Sequence, residues 1–173
     1  MNELNFEERS NLGIIYLPQE PSIFRELTVK QNILAALEAK KSNKVDKKII
    51  LEKISLEFNL ENILLQKCDT LSGGQRRRVE IARAVALEPK FILLDEPFAG
   101  IDPLVISEIK DLIKNLKSKG IGILISDHNV KATLDICDQI YVINVGEIIA
   151  SGSPEEIIKN DLVKKVYLGD VYS

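Results

Sequence analysis

At 173 residues the chain is the right size for one compact domain with a sizeable core. Its 45% apolar and 28% charged residues, with a net charge of −3, describe neither a disordered nor a strongly basic protein, and no nucleic-acid partner is expected. No apolar run approaches the roughly 20 residues that cross a bilayer, and Met1-Asn2-Glu3 lacks the basic-then-apolar pattern of a signal peptide, so a cytoplasmic location is expected. Cys68 and Cys137 have no CxxC spacing and no companion histidines, and read as small buried residues in a reducing compartment.

Apolar strand-like runs alternate with amphipathic helices, the rhythm of an α/β domain on a largely parallel sheet. Leu12 to Leu17 reads as a buried strand closed by Pro18, with Gln19 at its end. Between Ser22 and Pro89 the strand signal disappears. Thr28 and Gln31 make a capping box ahead of a helix carrying Ile33, Leu34 and Leu37. A second helix is predicted over Asp46 to Phe58, with Ile49, Ile50, Ile54 and Phe58 near the helical period, and the short apolar segment Leu60 to Leu65 follows. Strands resume at Phe91 to Leu94. Pro103 opens a helix with a core face of Val105, Ile109, Leu112 and Leu116, stopped by Gly120. Gly122 to Ser126 is a strand, Val130 to Ile136 a helix, and Gln139 to Val145 a further strand that sustains the βα rhythm. Gly146 turns the chain toward Ile148 and Ile149, and Ser153, Pro154 and Glu156 cap the last helices, which end near Gly169. The expected organisation is a single domain over 1–173, with a helical insert at 20–88, a further part of the core at 89–152 and C-terminal helices at 153–173.

The chemistry gathers at loop ends, where an open parallel sheet presents its binding groups. Leu71-Ser72-Gly73-Gly74-Gln75 leads into a helix over Arg76 to Leu87. Two glycines let backbone approach a phosphate, the Ser72 hydroxyl can donate to it, and the helix N-terminus favours an anion. The pentapeptide alone is also compatible with a plain N-capped helix. Arg76-Arg77-Arg78 reads as a solvated helical face, with Arg76 near Glu80 and no catalytic role.

Asp95 and Glu96 follow the strand Phe91 to Leu94. At this place in P-loop NTPases an acidic residue holds Mg²⁺, which gives Asp95 the metal role. Glu96 is then placed to orient and polarise the attacking water. Asp102 is a good N-cap before Pro103 and can also meet a partner subunit through the loop Ala99 to Asp102. His128 is the chain's single histidine; a lone histidine after a strand also reads as structural or merely exposed, and after Ser126-Asp127 a neutral imidazole could donate to a γ-phosphate.

Gln19, Leu71 to Gln75, Asp95, Glu96, Asp102 and His128 occur in the order and spacing of the Q-loop, signature, Walker B, D-loop and switch histidine, and over essentially its whole length the chain resembles ABC-transporter ATPases. Tyr16 to Glu20, Ser22 to Arg25, Arg76 to Ala84, Asp95 to Asp102, Asp127 to Val130 and Val166 to Gly169 look like the ATPases of bacterial lipopolysaccharide-export transporters, with branched-chain amino-acid importer ATPases as the nearest rivals. The resemblance implies a P-loop NTPase-like α/β fold, incomplete at the N-terminus, with an all-helical insert. It also implies ATP and Mg²⁺ as cofactors, and a head-to-tail homodimer in which Ser72, Gly73, Gly74 and Gln75 act on the partner's nucleotide. Gln19 would join the metal and water site to the insert. Phe24, Arg25 and Leu27 would receive a coupling helix of the membrane permease subunits, placing the protein peripherally on the inner membrane.

One departure stands out: no G-x-x-x-x-G-K-[ST] occurs in these residues. The expectation is a truncated reading frame whose product binds ATP poorly by itself, with a degenerate ATPase or a non-catalytic partner lending its signature motif as alternatives. DNA-repair and chromosome-organising ATPases interpose long coiled coils or zinc-binding CxxC pairs, and this sequence shows neither.

Overall fold

The computed structural model describes residues 3–40 and 44–168, and the chain divides into two compact units, Met1–Asp127 and His128–Ser173. In the first unit three strands, β1 (Ile14–Leu17), β2 (Phe91–Asp95) and β3 (Gly122–Ser126), form a parallel sheet in the order β1-β2-β3. The pairs Leu17↔Leu94 and Asp95↔Ser126 bring the carboxyl ends of all three strands to one edge. Burial alternates along the strands: Ile15, Leu17, Ile92 and Leu94 are buried, whereas Tyr16, Phe91 and Leu124 on the other parity are exposed.

Before β1 lies a helix that the sequence pattern did not show, α1 (Phe6–Asn11), closed by an Asn5/Glu8 capping box. Leu12 therefore ends a helix rather than starting a strand. Gly13, at φ +88°, turns the chain into β1 while its carbonyl accepts from the amides of Lys90 and Phe91.

The described residues of the unit also form the helices α2 (Val29–Ala39), α3 (Lys44–Glu57), α4 (Gly73–Val85) and α5 (Pro103–Ser118), with short 3-10 turns at Glu61–Ile63 and Cys68–Thr70. The Thr28/Gln31 capping box forms as expected. Ile33 and Leu37 are buried, but Leu34 is half-buried and the buried Asn32 takes its place on the core stripe. In α3, Ile54 faces the core together with Leu51, while Ile49 is exposed. α5 buries Ile109, Ile113 and Leu116, so its core stripe runs through Ile113 rather than Leu112, and it ends at Gly120 with φ +82°. α4 begins three residues earlier than expected because Ser72 is its N-cap.

In the second unit, α6 (Val130–Leu134) precedes β4 (Ile140–Asn144) and β5 (Glu147–Gly152). The expected βα rhythm stops here. β4 pairs antiparallel with β5 in a separate two-stranded sheet, because Val145 and Gly146 both adopt positive φ and reverse the chain in a two-residue turn. α7 (Pro154–Lys159), capped by Ser153 and Glu156, and α8 (Asp161–Val163) cover the hairpin around Leu134, Ile157 and Val163. The expected helix end near Gly169 lies outside the described residues.

Close packing of α4 on α5 sets a test. A Cβ added at Gly74 meets Val105 Cγ1 at 2.3 Å, and overpacking of this kind costs about 1–3 kcal/mol. Gly74→Ala is expected to lower the thermal unfolding midpoint, and Val105→Ala in the same chain to restore much of it. An additive double variant would show that the two sites do not meet.

Candidate active site

Two adjacent strand ends carry the acidic chemistry. Tyr16 Oη donates to Asp95 Oδ2 at 2.9 Å, and Ser126 Oγ donates to Asp95 Oδ1 at 2.5 Å. These two donors, Ser126 first, hold the Asp95 carboxyl below its ordinary pKa; the Arg77 charge adds to the effect and partial burial opposes it. The same contact with Asp95 pushes the Tyr16 phenol up. Asp95 is thus a firmly ionised oxygen donor.

One residue on, Glu96 stands in the left-handed region at φ +40°. Its N–H donates to Ser126 O at 2.8 Å, and its Oε2 accepts from Gln19 Nε2 at 2.8 Å. Non-glycine residues in such backbone are costly and persist where the surroundings over-determine them, which is common at functional sites. Gln19 comes from one motif of the sequence and the neighbours Asp95 and Glu96 from another, and the Gln19–Glu96 hydrogen bond joins the two.

Beyond Glu96 the loop folds as two successive turns, Ala99 N–H to Glu96 O and Ile101 N–H to Phe98 O, fixed by Phe98 N–H on Asp127 Oδ2 at 3.2 Å. Asp102 accepts from Leu104 N–H at 2.8 Å and caps α5, the capping role expected of it. His128 is the first residue of the second unit, and its carbonyl accepts from Val130 N–H.

At the start of α4, Ser72 Oγ accepts from Gln75 N–H while Gln75 Oε1 accepts from Ser72 N–H, a reciprocal capping box. As an acceptor there, the Ser72 hydroxyl still has its own proton to donate. Ser72 and Gly73 are exposed. Gly74 is buried against Val105, so its missing side chain answers to helix packing rather than to the approach of a phosphate. Gly73 faces Gly100: a Cβ built on it would lie 3.5 Å from the Gly100 carbonyl oxygen. A cleft of about 160 Å³ runs between these parts, lined by Gln19, Gly73, Arg77, Glu96 and Gly100 among others.

The solvated-face reading of Arg76 to Arg78 is corrected. Arg77, not Arg76, meets Glu80, and their side chains are only 7% and 4% exposed. Arg77 falls on the stripe Gly74, Arg77, Ile81, Ala84 that α4 buries, and helical spacing through those positions was the available signal. Arg78 pairs with Glu108 on α5. Ser126 meets Asp95 because β2 and β3 pair end to end, a register that the sequence did not show. Tyr16 likewise had no sequence signal, because its partner depends on the register between β1 and β2.

The donor set fits a magnesium-bound nucleotide. Among the described residues no cluster of three or more His, Cys, Asp or Glu side chains could hold a metal. Mg²⁺ in nucleotide sites takes one or two carboxylates, with phosphates and water completing the shell, and the ionised Asp95 beside Gln19 supplies oxygen donors of that kind.

A parallel sheet with polar and acidic side chains at its carboxyl edge, beside a capped helix N-terminus, defines a nucleotide-binding α/β protein of the P-loop NTPase kind. The ABC transporter family matches residues 2–99, and a branched-chain amino acid ATP-binding cassette transporter C-terminal family matches residues 147–173. The chain belongs to the ABC transporter family of ATP-binding subunits. It is 49% identical over 170 residues to the lipopolysaccharide export system ATP-binding protein LptB of Haemophilus influenzae, covering 98% of this chain and 70% of that protein. It is 46% identical over 168 residues to the LptB of Escherichia coli K12, covering 96% and 70%. Among solved structures, the ADP conformation of MJ1267, an ATP-binding cassette of an ABC transporter, matches with a TM-score of 0.79 at 30% identity over 95% of this chain and 71% of that one.

Asp95 sets a pH test. Its folded-state pKa is lowered, so its contribution to stability is present above the unfolded pKa and is lost as pH falls through the folded one. Ser126→Ala is expected to raise the Asp95 midpoint in a carboxyl-carbon NMR titration. The stability gap between wild type and variant should close as pH drops through the wild-type midpoint. An unmoved midpoint would mean that Ser126 does not hold the carboxylate.

Proposed function

We propose that the chain is the ATP-binding and ATP-hydrolysing subunit of a transporter that exports lipopolysaccharide from the inner membrane. The observation that carries the chemistry is the Gln19–Glu96–Asp95 arrangement at the ends of two adjacent parallel strands. Similarity along nearly the whole chain to lipopolysaccharide-export ATP-binding proteins supports the substrate class. The branched-chain importer pattern is confined to residues 147–173.

In this reading ATP brings the phosphoryl group and its Mg²⁺ brings charge neutralisation of the phosphates. Asp95, held ionised by Ser126 and Tyr16, would be the metal's carboxylate partner. Glu96 accepts the proton of the attacking water and orients it, once its Oε2 exchanges the Gln19 amide for that water. Gln19, whose amide bonds Glu96, would offer its carbonyl oxygen to the metal and water. By its sequence resemblance alone, His128 would be the donor to a γ-phosphate. Ser72, Gly73, Gly74 and Gln75 present a hydroxyl and a helix N-terminus to the nucleotide of a second ATPase subunit, with Asp102 at the same dimer surface. The 173 residues contain no G-x-x-x-x-G-K-[ST] run, so what they supply is the metal, water and signature parts of such a site.

Docking to the membrane subunits falls to Phe24, Arg25 and Leu27. Phe24 is 53% exposed, yet its backbone is fixed at both ends: its N–H donates to Asn32 Oδ1 and its carbonyl accepts from Asn32 Nδ2, each at 3.0 Å. Arg83 stacks over its ring at 5.1 Å. An apolar ring held still at the surface beside a basic side chain suits a helix from a partner protein. No described helix is long and apolar enough to cross a membrane; similarity to lipopolysaccharide-export ATP-binding proteins supports a cytoplasmic subunit bound peripherally to permease subunits.

In the dimer assembled with its membrane subunits, Glu96→Gln is expected to leave nucleotide affinity within about threefold while ATP turnover falls ~10²-fold or more. Retained turnover would take Glu96 out of its role. Lipopolysaccharide extraction from vesicles should stop in step with hydrolysis; extraction that continues would separate the substrate from the ATPase.

A further inference from the structure

The first residues of two loops carry the candidate chemistry, and one buried side chain holds the peptide groups that launch both. Arg77 Nη1 donates to Pro18 O at 3.1 Å and Nη2 donates to Asp95 O at 3.0 Å. Pro18 immediately precedes Gln19, and Asp95 immediately precedes Glu96. The peptide group between Asp95 and Glu96 is therefore held at both ends, its carbonyl by Arg77 and its N–H by Ser126 O.

A guanidinium suits this task because its donors are set in a rigid planar fork, which an ammonium lacks. Glu80 supplies the counter-charge: its Oε2 accepts from Arg77 at 3.2 Å and its Oε1 from Ser22 N–H at 2.7 Å. Stability alone gives a weak reason for such a pair, since desolvating two charges offsets most of their attraction and apolar replacements of similar volume are often neutral or better. Among the described residues Arg77 Nε is also buried without a partner, a further cost. What the pair holds accounts for it better. Glu96 sits at φ +40°, a conformation that needs outside constraint, and the Gln19–Glu96 hydrogen bond spans the two loops that Arg77 bridges.

We propose that Arg77 is a positioning residue: by bridging the carbonyls of Pro18 and Asp95 it sets the separation of Gln19 and Glu96 and keeps Glu96 in its left-handed backbone. Its catalytic consequence rests on the ATPase reading above, whereas its geometric claim does not.

The test has a nucleotide-free arm and a turnover arm. In NMR spectra of the 173-residue chain, Arg77→Lys keeps the charge but loses the fork. It is expected to abolish the side-chain NOE between Gln19 and Glu96 and to speed hydrogen exchange of the Glu96 amide at least tenfold, with the Ile33 and Leu37 amides of α2 changed less than threefold. Glu80→Gln retains acceptors for Arg77 and Ser22 and is expected to preserve the Gln19–Glu96 contact. An unchanged contact in Arg77→Lys, a uniform loss of protection reaching α2, or an equal loss in Glu80→Gln would each overturn the proposal. In the assembled transporter, Arg77→Lys should lower kcat for ATP at least tenfold with KM changed less than threefold, and a wild-type kcat would overturn the catalytic consequence. Absence of turnover in the unsubstituted assembly would count against the ATPase reading, leaving the NMR arm to decide on Arg77.

Discussion

Parallel pairing delivers every strand to the same edge, and in this molecule that constraint decides where polar chemistry can gather. With Leu17 opposite Leu94 and Asp95 opposite Ser126, three loops leave the sheet side by side. Their first side chains meet within hydrogen-bond distance although they lie 77 residues apart for Gln19 and Glu96 and 31 for Asp95 and Ser126. The helices between the strands then serve the edge. α4 sends Arg77 and Glu80 back under it, and α5 takes its N-cap from the loop that leaves β2.

Electrostatics at that edge is divided by depth. Asp95 lies near the surface, where hydroxyl donors suffice to keep its carboxylate charged. Arg77 and Glu80 lie beneath, almost wholly out of solvent, where each charge needs the other and every further donor and acceptor needs a backbone partner. Along α4 the same face continues to Arg83, whose guanidinium is held by Ser22 O and Oγ at 2.8 Å and whose burial lowers its pKa.

Local signals made much of this readable in the sequence. The capping boxes at Thr28 and Ser153, the proline starts at Pro103 and Pro154 and the stop at Gly120 each follow from a few adjacent residues and formed as expected. Pairing between distant segments was far less accessible. Tyr16 meets Asp95 only through strand register, and Gly74 is a glycine because Val105, on another helix, occupies the space of a side chain. α1 escapes a pattern reading because a six-residue helix with no buried residue leaves no apolar period. β4 reads as part of the parallel rhythm because Val145-Gly146 lacks the Asn-Gly or Asp-Gly pattern that usually announces a two-residue hairpin turn.

Asn32 has an implication for how force crosses the first unit. Its one side chain, itself wholly buried, is bonded to both backbone groups of Phe24, to Thr28 O and to the buried Cys68 sulfur. From the opposite side Glu80 grips the Ser22 amide. A segment clamped to α2 on one flank and to α4 on the other has little slack in which to absorb a push. Displacement of α4 by the width of a bond carries Phe24 with it, as a stiff linkage transmits motion where a flexible tether would dissipate it.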